Sequence, residues 1–280
     1  MALCDVTEPS SLPPHLEVRN LTSMHGDVLI QHDLNFTVQH GDIFIVMGPS
    51  GSGKSTLLRH LVGLDRPASG TVRYEGTCIW GCGEVEREQI MRRIGVTYQS
   101  GGLWSSMTLV ENVSVPLQRY TRLNSHEVRE LASLKLAMVG LAGFEDHYPS
   151  ELSGGMQKRA GLARAIALDP DLLFFDEPSA GLDPVTSRRL DDLILALRDN
   201  LGATVVIVTH ELASIFAIGN NSVFLDPESR TQIALGDPKI LLRECPIPTV
   251  HAFLTRGSDS NLLAPTRAVA AAPRAAFGQA

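Results

Sequence analysis

Long apolar runs are missing from this chain, and no stretch approaches the roughly 20 residues that a bilayer-crossing helix needs. Any membrane work therefore falls to another polypeptide. A basic excess is missing too: 24 Lys and Arg stand against 31 Asp and Glu, a net charge of -7. That balance gives no electrostatic footprint for nucleic acid, so DNA or RNA is disfavoured as the main partner. Cysteine is scarce. Cys4, Cys78, Cys82 and Cys245 form no C-x-x-C pair and match no common zinc spacing, which speaks against a disulfide framework or a zinc module. The N-terminus carries Asp5, Glu8 and three prolines by Pro14 and does not read as a signal peptide. At 280 residues the chain is long enough for one large domain with a small extension.

What is present begins with Gly48-Pro49-Ser50-Gly51-Ser52-Gly53-Lys54-Ser55, followed by Thr56. This phosphate-binding loop lies between an apolar run, Ile43 to Met47, and a helix-like stretch, Leu57 to Leu64. Strand, glycine loop and helix in that order are the context the motif requires. The glycines let successive backbone N–H groups turn toward one set of phosphate oxygens, and the helix adds its positive end. Lys54 is placed to reach the outer phosphates and the Ser55 hydroxyl to hold Mg²⁺.

Leu172-Leu173-Phe174-Phe175-Asp176-Glu177 reads as a buried parallel strand that delivers two acids at its C-terminal edge, where α/β sheets bind ligands. Asp176 suits the metal shell; Glu177 suits a base that polarises water. Taken alone, the pair also fits a solvated turn. Upstream, Leu152-Ser153-Gly154-Gly155-Met156 opens an Ala/Leu-rich helical segment. Ser153 reads as its N-cap, and the two glycines leave the helix mouth free to touch a second anion.

In this combination the chain resembles the ATP-binding-cassette family over most of residues 16 to 235. The loop, the Ser153-Gly154-Gly155 segment, Asp176-Glu177, the Ser179-Ala180-Gly181-Leu182-Asp183 stretch, His210 and Gln99 occur in the family's order. The fold implied is α/β: a P-loop core with a parallel sheet, an antiparallel β subdomain and a helical subdomain. The resemblance implies ATP and Mg²⁺ as cofactors and a head-to-tail dimer with a second copy of the chain. In that dimer Ser153, Gly154 and Gly155 of one subunit close over ATP held by Lys54 of the other. Carried over residue by residue, Glu177 would be the hydrolytic base, and Ser55, Asp176 and Gln99 the metal contacts. His210 would touch the γ-phosphate and Asp183 would link the two sites.

Two positions keep two readings each. Where the family usually stacks a tyrosine on adenine, this chain offers His25, either a weaker stacking face or a plain surface histidine. Leu103 with Trp104, beside Gly101-Gly102, forms either the apolar wall of a docking groove or part of the core. Most of the remaining histidines read as solvated.

Along the chain, Leu16 to Val38 and Gly70 to Gly76 read as antiparallel strands, Thr108 to Leu168 as mainly helical, and Asp171 to Asp226 as alternating strands and helices. The organisation expected is an N-terminal segment (1–14), an ATPase domain (15–236) with a helical subdomain at about 105–168, a C-terminal extension (237–260) and a disordered Ala/Pro-rich tail (261–280). Short helices are expected at Asp237 to Leu242 and Pro248 to Leu254.

Gln99 to Leu103, Pro149 to Met156 and that extension resemble, more narrowly, the ATPase subunit of Mla-type phospholipid transporters. The partners this implies are an integral permease, a periplasmic lipid-binding subunit and a small STAS-domain regulator, with the chain on the cytoplasmic face of the inner membrane. The extension would reach across to the neighbouring copy. Two alternatives stand beside it: a cassette ATPase moving another solute, or a soluble one acting on ribosomes or DNA ends. The soluble class usually carries two cassettes or a long coiled-coil insert, and the sequence has neither.

Overall fold

The fold, seen in a computed structural model that describes residues 3–7, 13–99 and 101–257, starts with a short strand, β1 (Cys4–Asp5). Two long strands follow, β2 (Leu16–His25) and β3 (Val28–Val38). They form one hairpin where the sequence suggested shorter pieces, because Gly26 at φ 56° supplies the reversal and the register shifts absorb the length. Next come β4 (Ile43–Met47) and α1 (Lys54–Leu61). This helix begins three residues earlier than the apolar pattern indicated, since Gly53, at φ 86°, is its N-cap.

Strands β5 (Ser69–Tyr74) and β6 (Thr77–Cys78) complete an antiparallel sheet ordered β3-β2-β5-β6. Helix α2 (Glu84–Arg92), which the sequence reading missed, leads into β7 (Ile94–Thr97). The helical region holds α3 (Leu109–Tyr120), α4 (Ser125–Met138) and α5 (Gly154–Ala165). Capping boxes at Thr108/Glu111 and Asn124/Glu127 start the first two of these helices.

The remaining elements are β8 (Leu172–Asp176), α6 (Pro184–Leu201), β9 (Thr204–Val208), α7 (Leu212–Ile218), β10 (Asn221–Asp226), β11 (Thr231–Leu235), α8 (Pro238–Glu244) and α9 (Pro248–Leu254). The main sheet runs β1-β11-β10-β4-β9-β8-β7. From β10 to β7 every neighbouring pair is parallel.

Alternation along the central strands divides the core in two. Ile43, Ile45, Leu173, Phe175, Val205 and Ile207 face the helical side, and Phe44, Val46, Leu172, Phe174, Val206 and Val208 face α1 and the antiparallel sheet. All twelve are buried, as strands covered on both faces must be.

The extension folds onto its own subunit. Leu241, Val250 and Leu254 are buried in the helical-side core, and Phe253 meets Phe224 edge-on at 5.2 Å. The proposed reach to a neighbouring copy would have to use what these contacts leave exposed. The Ala/Pro-rich tail (261–280) lies outside the described residues.

Helix α5 presses on β7 with no side chain between them: a Cβ on Gly95 would sit 2.3 Å from the Ala165 carbonyl oxygen and 2.7 Å from Leu173 Cδ2. Gly95→Ala should therefore force α5 off the sheet at a cost of about 1–3 kcal/mol. Urea unfolding should show a lower midpoint at unchanged slope. An unaltered midpoint would mean that this contact does not hold α5 in place.

Candidate active site

Register decides which groups meet. Val46 pairs with Val208, and Val208 pairs with Asp176, so the ends of β4, β9 and β8 form one row. Immediately past that row come Gly48, Thr209 with His210, and Glu177. Main-chain bonds carry the row one residue further, from Glu177 N–H to Val208 O at 2.8 Å and from Thr209 N–H to Val46 O at 3.2 Å.

The loop after β4 needs its glycines for space as well as for backbone angle. A Cβ at Gly48 would lie 2.3 Å from the Leu225 carbonyl oxygen, and one at Gly53 would lie 2.6 Å from Gln31 Nε2. Both residues also have φ in the left-handed region, 148° and 86°. Gln31, buried on β3, donates to the Ser52 carbonyl at 2.7 Å and so ties the antiparallel sheet to the loop. Lys54 Nζ donates to the carbonyls of Gly48 and Pro49, each at 2.9 Å. Burial lowers the Lys54 pKa, while Glu177 and then Asp176 pull it back up. Ser55 is open to solvent and Thr56 half-buried.

Asp176 is pushed up, first by burial and then by the Glu177 carboxylate, against the pull of Lys54. Its Oδ1 is buried with no hydrogen-bond partner, and so is Ser52 Oγ. An orphaned carboxylate oxygen beside a hydroxyl-rich loop fits a hard dication with oxygen ligands, so the donor set suits Mg²⁺. Glu177 adopts φ 47°, a left-handed conformation uncommon for a non-glycine residue. Its Oε1 lies 2.7 Å from His210 Nδ1, and its Oε2 accepts from the Thr209 hydroxyl at 3.3 Å. The three residues form one connected group over the end of the sheet.

The second helix mouth stands apart from this group. Ser153 caps α5, its hydroxyl accepting from the Met156 N–H at 3.3 Å. A Cβ on Gly154 would meet nothing within 4 Å, so the mouth is open, whereas one on Gly155 would meet Thr186 at 2.8 Å. Ser153 and Gly155 line a cavity with Arg159, Thr186 and Arg189, and no residue of the glycine loop lines it. Asp183 caps α6, accepting from the N–H groups of Val185 and Thr186, each at 3.0 Å.

Gln99 is exposed just past β7, at the same edge of the sheet as the acids. His25 is exposed at the end of β2, in the hairpin whose other strand carries Gln31. Trp104 is 48% exposed, which removes the buried-core reading. Arg164 lies over its ring at 5.1 Å, and Asn112 holds its main chain at both N–H and carbonyl.

Two residues escaped the sequence reading. One is Gln31. The other is Lys158, whose ammonium on α5 donates to the carbonyls of Ala180 and, at 3.3 Å, Glu177. Nothing local in either sequence signals these contacts, which form only through the tertiary fold. Of the histidines outside the site, His15 and His60 are buried, and the others are exposed or half-buried.

A family model described as ABC transporter matches residues 31–180. The probable ribonucleotide transport ATP-binding protein mkl of Mycobacterium tuberculosis is 39% identical over 248 residues, which is 89% of this chain and 68% of that protein. The intermembrane phospholipid transport system ATP-binding protein MlaF of Haemophilus influenzae is 38% identical over 244 residues, 87% of this chain and 91% of that protein.

Among solved structures, the dimeric post-hydrolysis state of the ATP-binding cassette MJ0796 bound to ADP and Pi superposes with a TM-score of 0.72 at 31% identity, covering 79% of this chain and 98% of the other. The structure of cbiO1 from Clostridium perfringens, part of the ABC transporter complex cbiONQ, gives 0.74 at 25% identity, covering 83% and 92%. The family match takes in the whole phosphate loop, the Ser153 mouth and both edge acids, and the chain belongs to the ABC transporter family, as its ATP-hydrolysing domain.

Proposed function

We propose that this chain is the ATPase subunit that energises phospholipid movement between the inner and outer membranes through a separate permease. The observation that carries the cargo is the match to the Haemophilus phospholipid-transport subunit along 91% of that protein. The mycobacterial relative, named for ribonucleotide transport, is as similar but is matched over 68% of its length. Identity alone does not separate the two cargoes; similarity end to end favours lipid.

In this reading, a triphosphate takes the place of the Gly48 and Pro49 carbonyls as the partner of Lys54, and the loop N–H groups cradle its oxygens. Ser55, Asp176 and Gln99 would hold Mg²⁺, which supplies charge neutralisation at the phosphates. Glu177 would take the proton of the attacking water, with His210 beside it turning toward the γ-phosphate. Ser153, Gly154 and Gly155 of a second copy would cover the nucleotide, Asp183 would join the two sites, and His25 would lie against the base.

Trp104, Pro116, Tyr120 and Arg164 line a groove of about 360 Å³ on the helical region. That groove suits a short helix of the permease. The chain would then sit on the cytoplasmic face of the inner membrane, in a complex with a periplasmic lipid-binding subunit and a small STAS-domain regulator. Among the described residues no helix is long and apolar enough to cross a membrane.

Purifying the tagged chain from its host in mild detergent should bring down an integral membrane protein with bound phospholipid. A permease loaded with another solute would overturn the cargo. Glu177→Gln should retain ATP binding while turnover falls by roughly 10²–10⁴-fold, and undiminished turnover would remove Glu177 from the base role.

Asp176 gives a stability test with a definite sign. Its folded pKa is raised, so the stability linked to this group is present below its unfolded pKa and lost as pH rises through the folded value. Near pH 7 the charged form destabilises the empty fold. Asp176→Asn should therefore raise the melting temperature of the nucleotide-free chain at pH 7, with the difference shrinking toward pH 3, while ATP turnover is lost. A lower melting temperature at pH 7 would contradict that account.

A further inference from the structure

At the opposite end of the main sheet from the phosphate loop, three segments bring together two imidazoles and a carboxylate. His15 lies just before β2, His40 in the turn between β3 and β4, and Glu75 in the turn between β5 and β6. We propose that His15, His40 and Glu75 form a binding site for a divalent transition metal, of the class that zinc represents.

One ligand atom from each residue lies within 4.8 Å of the other two. The rings of His15 and His40 stack, with centroids 4.2 Å apart and planes 13° from parallel. His15 is buried, 2% exposed, and its Nδ1 lies 2.7 Å from the Thr204 hydroxyl. That hydroxyl oxygen also accepts from the Gly41 N–H at 3.0 Å. With its proton on Nδ1, His15 would satisfy that oxygen's second lone pair and present Nε2 to a metal in place of its contact with Asp171. An imidazole oriented through its other nitrogen in this way is the usual arrangement around a metal.

His15 Nε2 faces acid: Asp171 Oδ1 is 3.7 Å away. His40 Nε2 lies 3.8 Å from Glu75 Oε1. Arg93 holds both oxygens of Glu75, at 2.8 and 3.0 Å, and also bonds Asp171. A metal would take Oε1 and leave Arg93 on Oε2 and Asp171.

Tetrahedral coordination at zinc distances brings ligand atoms to about 3.4 Å of one another. The ligand atoms would therefore close by up to about 1.4 Å, and one imidazole would turn out of the parallel stack so that both in-plane lone pairs meet the ion. That movement can come from His40 and Glu75, both exposed and both on turns. Beside them, His15, Glu75, Arg93 and Asp171 line an open cavity of about 260 Å³ through which an ion can enter. Two nitrogens and one carboxylate oxygen select zinc, or cobalt in its place, over magnesium or calcium.

The site would tie the antiparallel sheet to the turn entering β4, at the edge away from hydrolysis. Binding should therefore stabilise the fold and leave the nucleotide groups untouched.

The test is calorimetric titration of the chelator-treated full chain with zinc chloride, nucleotide absent. One site of micromolar or tighter Kd is expected, together with a rise in melting temperature. His40→Ala and Glu75→Gln, exposed positions that the core does not need, should each weaken binding at least tenfold. Cobalt substitution then identifies the ligand type. Weak visible bands without a strong thiolate charge-transfer band are expected. An intense thiolate band would move the ion to a cysteine and overturn the proposal, as would binding unchanged in His40→Ala or no zinc binding at all.

Discussion

Parallel pairing of β4, β9 and β8 puts Val46, Val208 and Asp176 side by side, and the groups of the candidate site lie within a few residues of that row. Hydrogen-bonded register is a stiff constraint, since a slip of one residue would turn every inward side chain outward. The split core enforces it: Phe174 and Val206 face one side, Phe175 and Ile207 the other. Position at the sheet's edge is thus a consequence of packing many residues away. A carboxylate at Glu177, an imidazole at His210 and a glycine loop after Met47 need no separate means of being brought together.

Unbalanced charge is the second constraint on the site. Lys54 is buried and loses solvation, and both acids compensate it only in part. Asp176 has an oxygen with no partner, and Glu177 holds a left-handed backbone. The buried ammonium and the orphaned carboxylate oxygen are unfavourable as they stand, and a phosphate at the first or a dication at the second would relieve them. Groups poised in this way gain more from binding than relaxed ones would, because the desolvation has already been borne in folding.

The parts legible in the sequence were those whose chemistry demands consecutive residues. The loop from Gly48 to Ser55, the Ser153 cap and the strand ending at Asp176 are each written within a few positions of themselves. What the sequence hid depends on distance along the chain. Gln31 reaches Ser52 across 21 residues and Lys158 reaches Ala180 across 22, with no periodic pattern to announce either contact. The burial of His15 has no local mark either, and its ring partner Thr204 lies 189 residues later. Helix α2 was missed because it is amphipathic only weakly, with Ile90 its sole buried residue. The β2–β3 hairpin read as fragments because its register shifts break the alternation.

Lys158 also bears on how a second copy would matter to the chemistry. The mouth at Ser153 is open at Gly154 and lies against α6 through Gly155 and Thr186, apart from the loop of its own subunit. In the proposed dimer, a nucleotide at that mouth would come from another chain. One turn further along α5, Lys158 grips the carbonyls of Glu177 and Ala180 in its own subunit. Any force that a partner's phosphate exerts on the mouth would pass down this helix to the backbone of Glu177. In the head-to-tail dimer we propose, closure at one site would thus adjust the position of Glu177 in the other, a coupling built from one helix and one ammonium group.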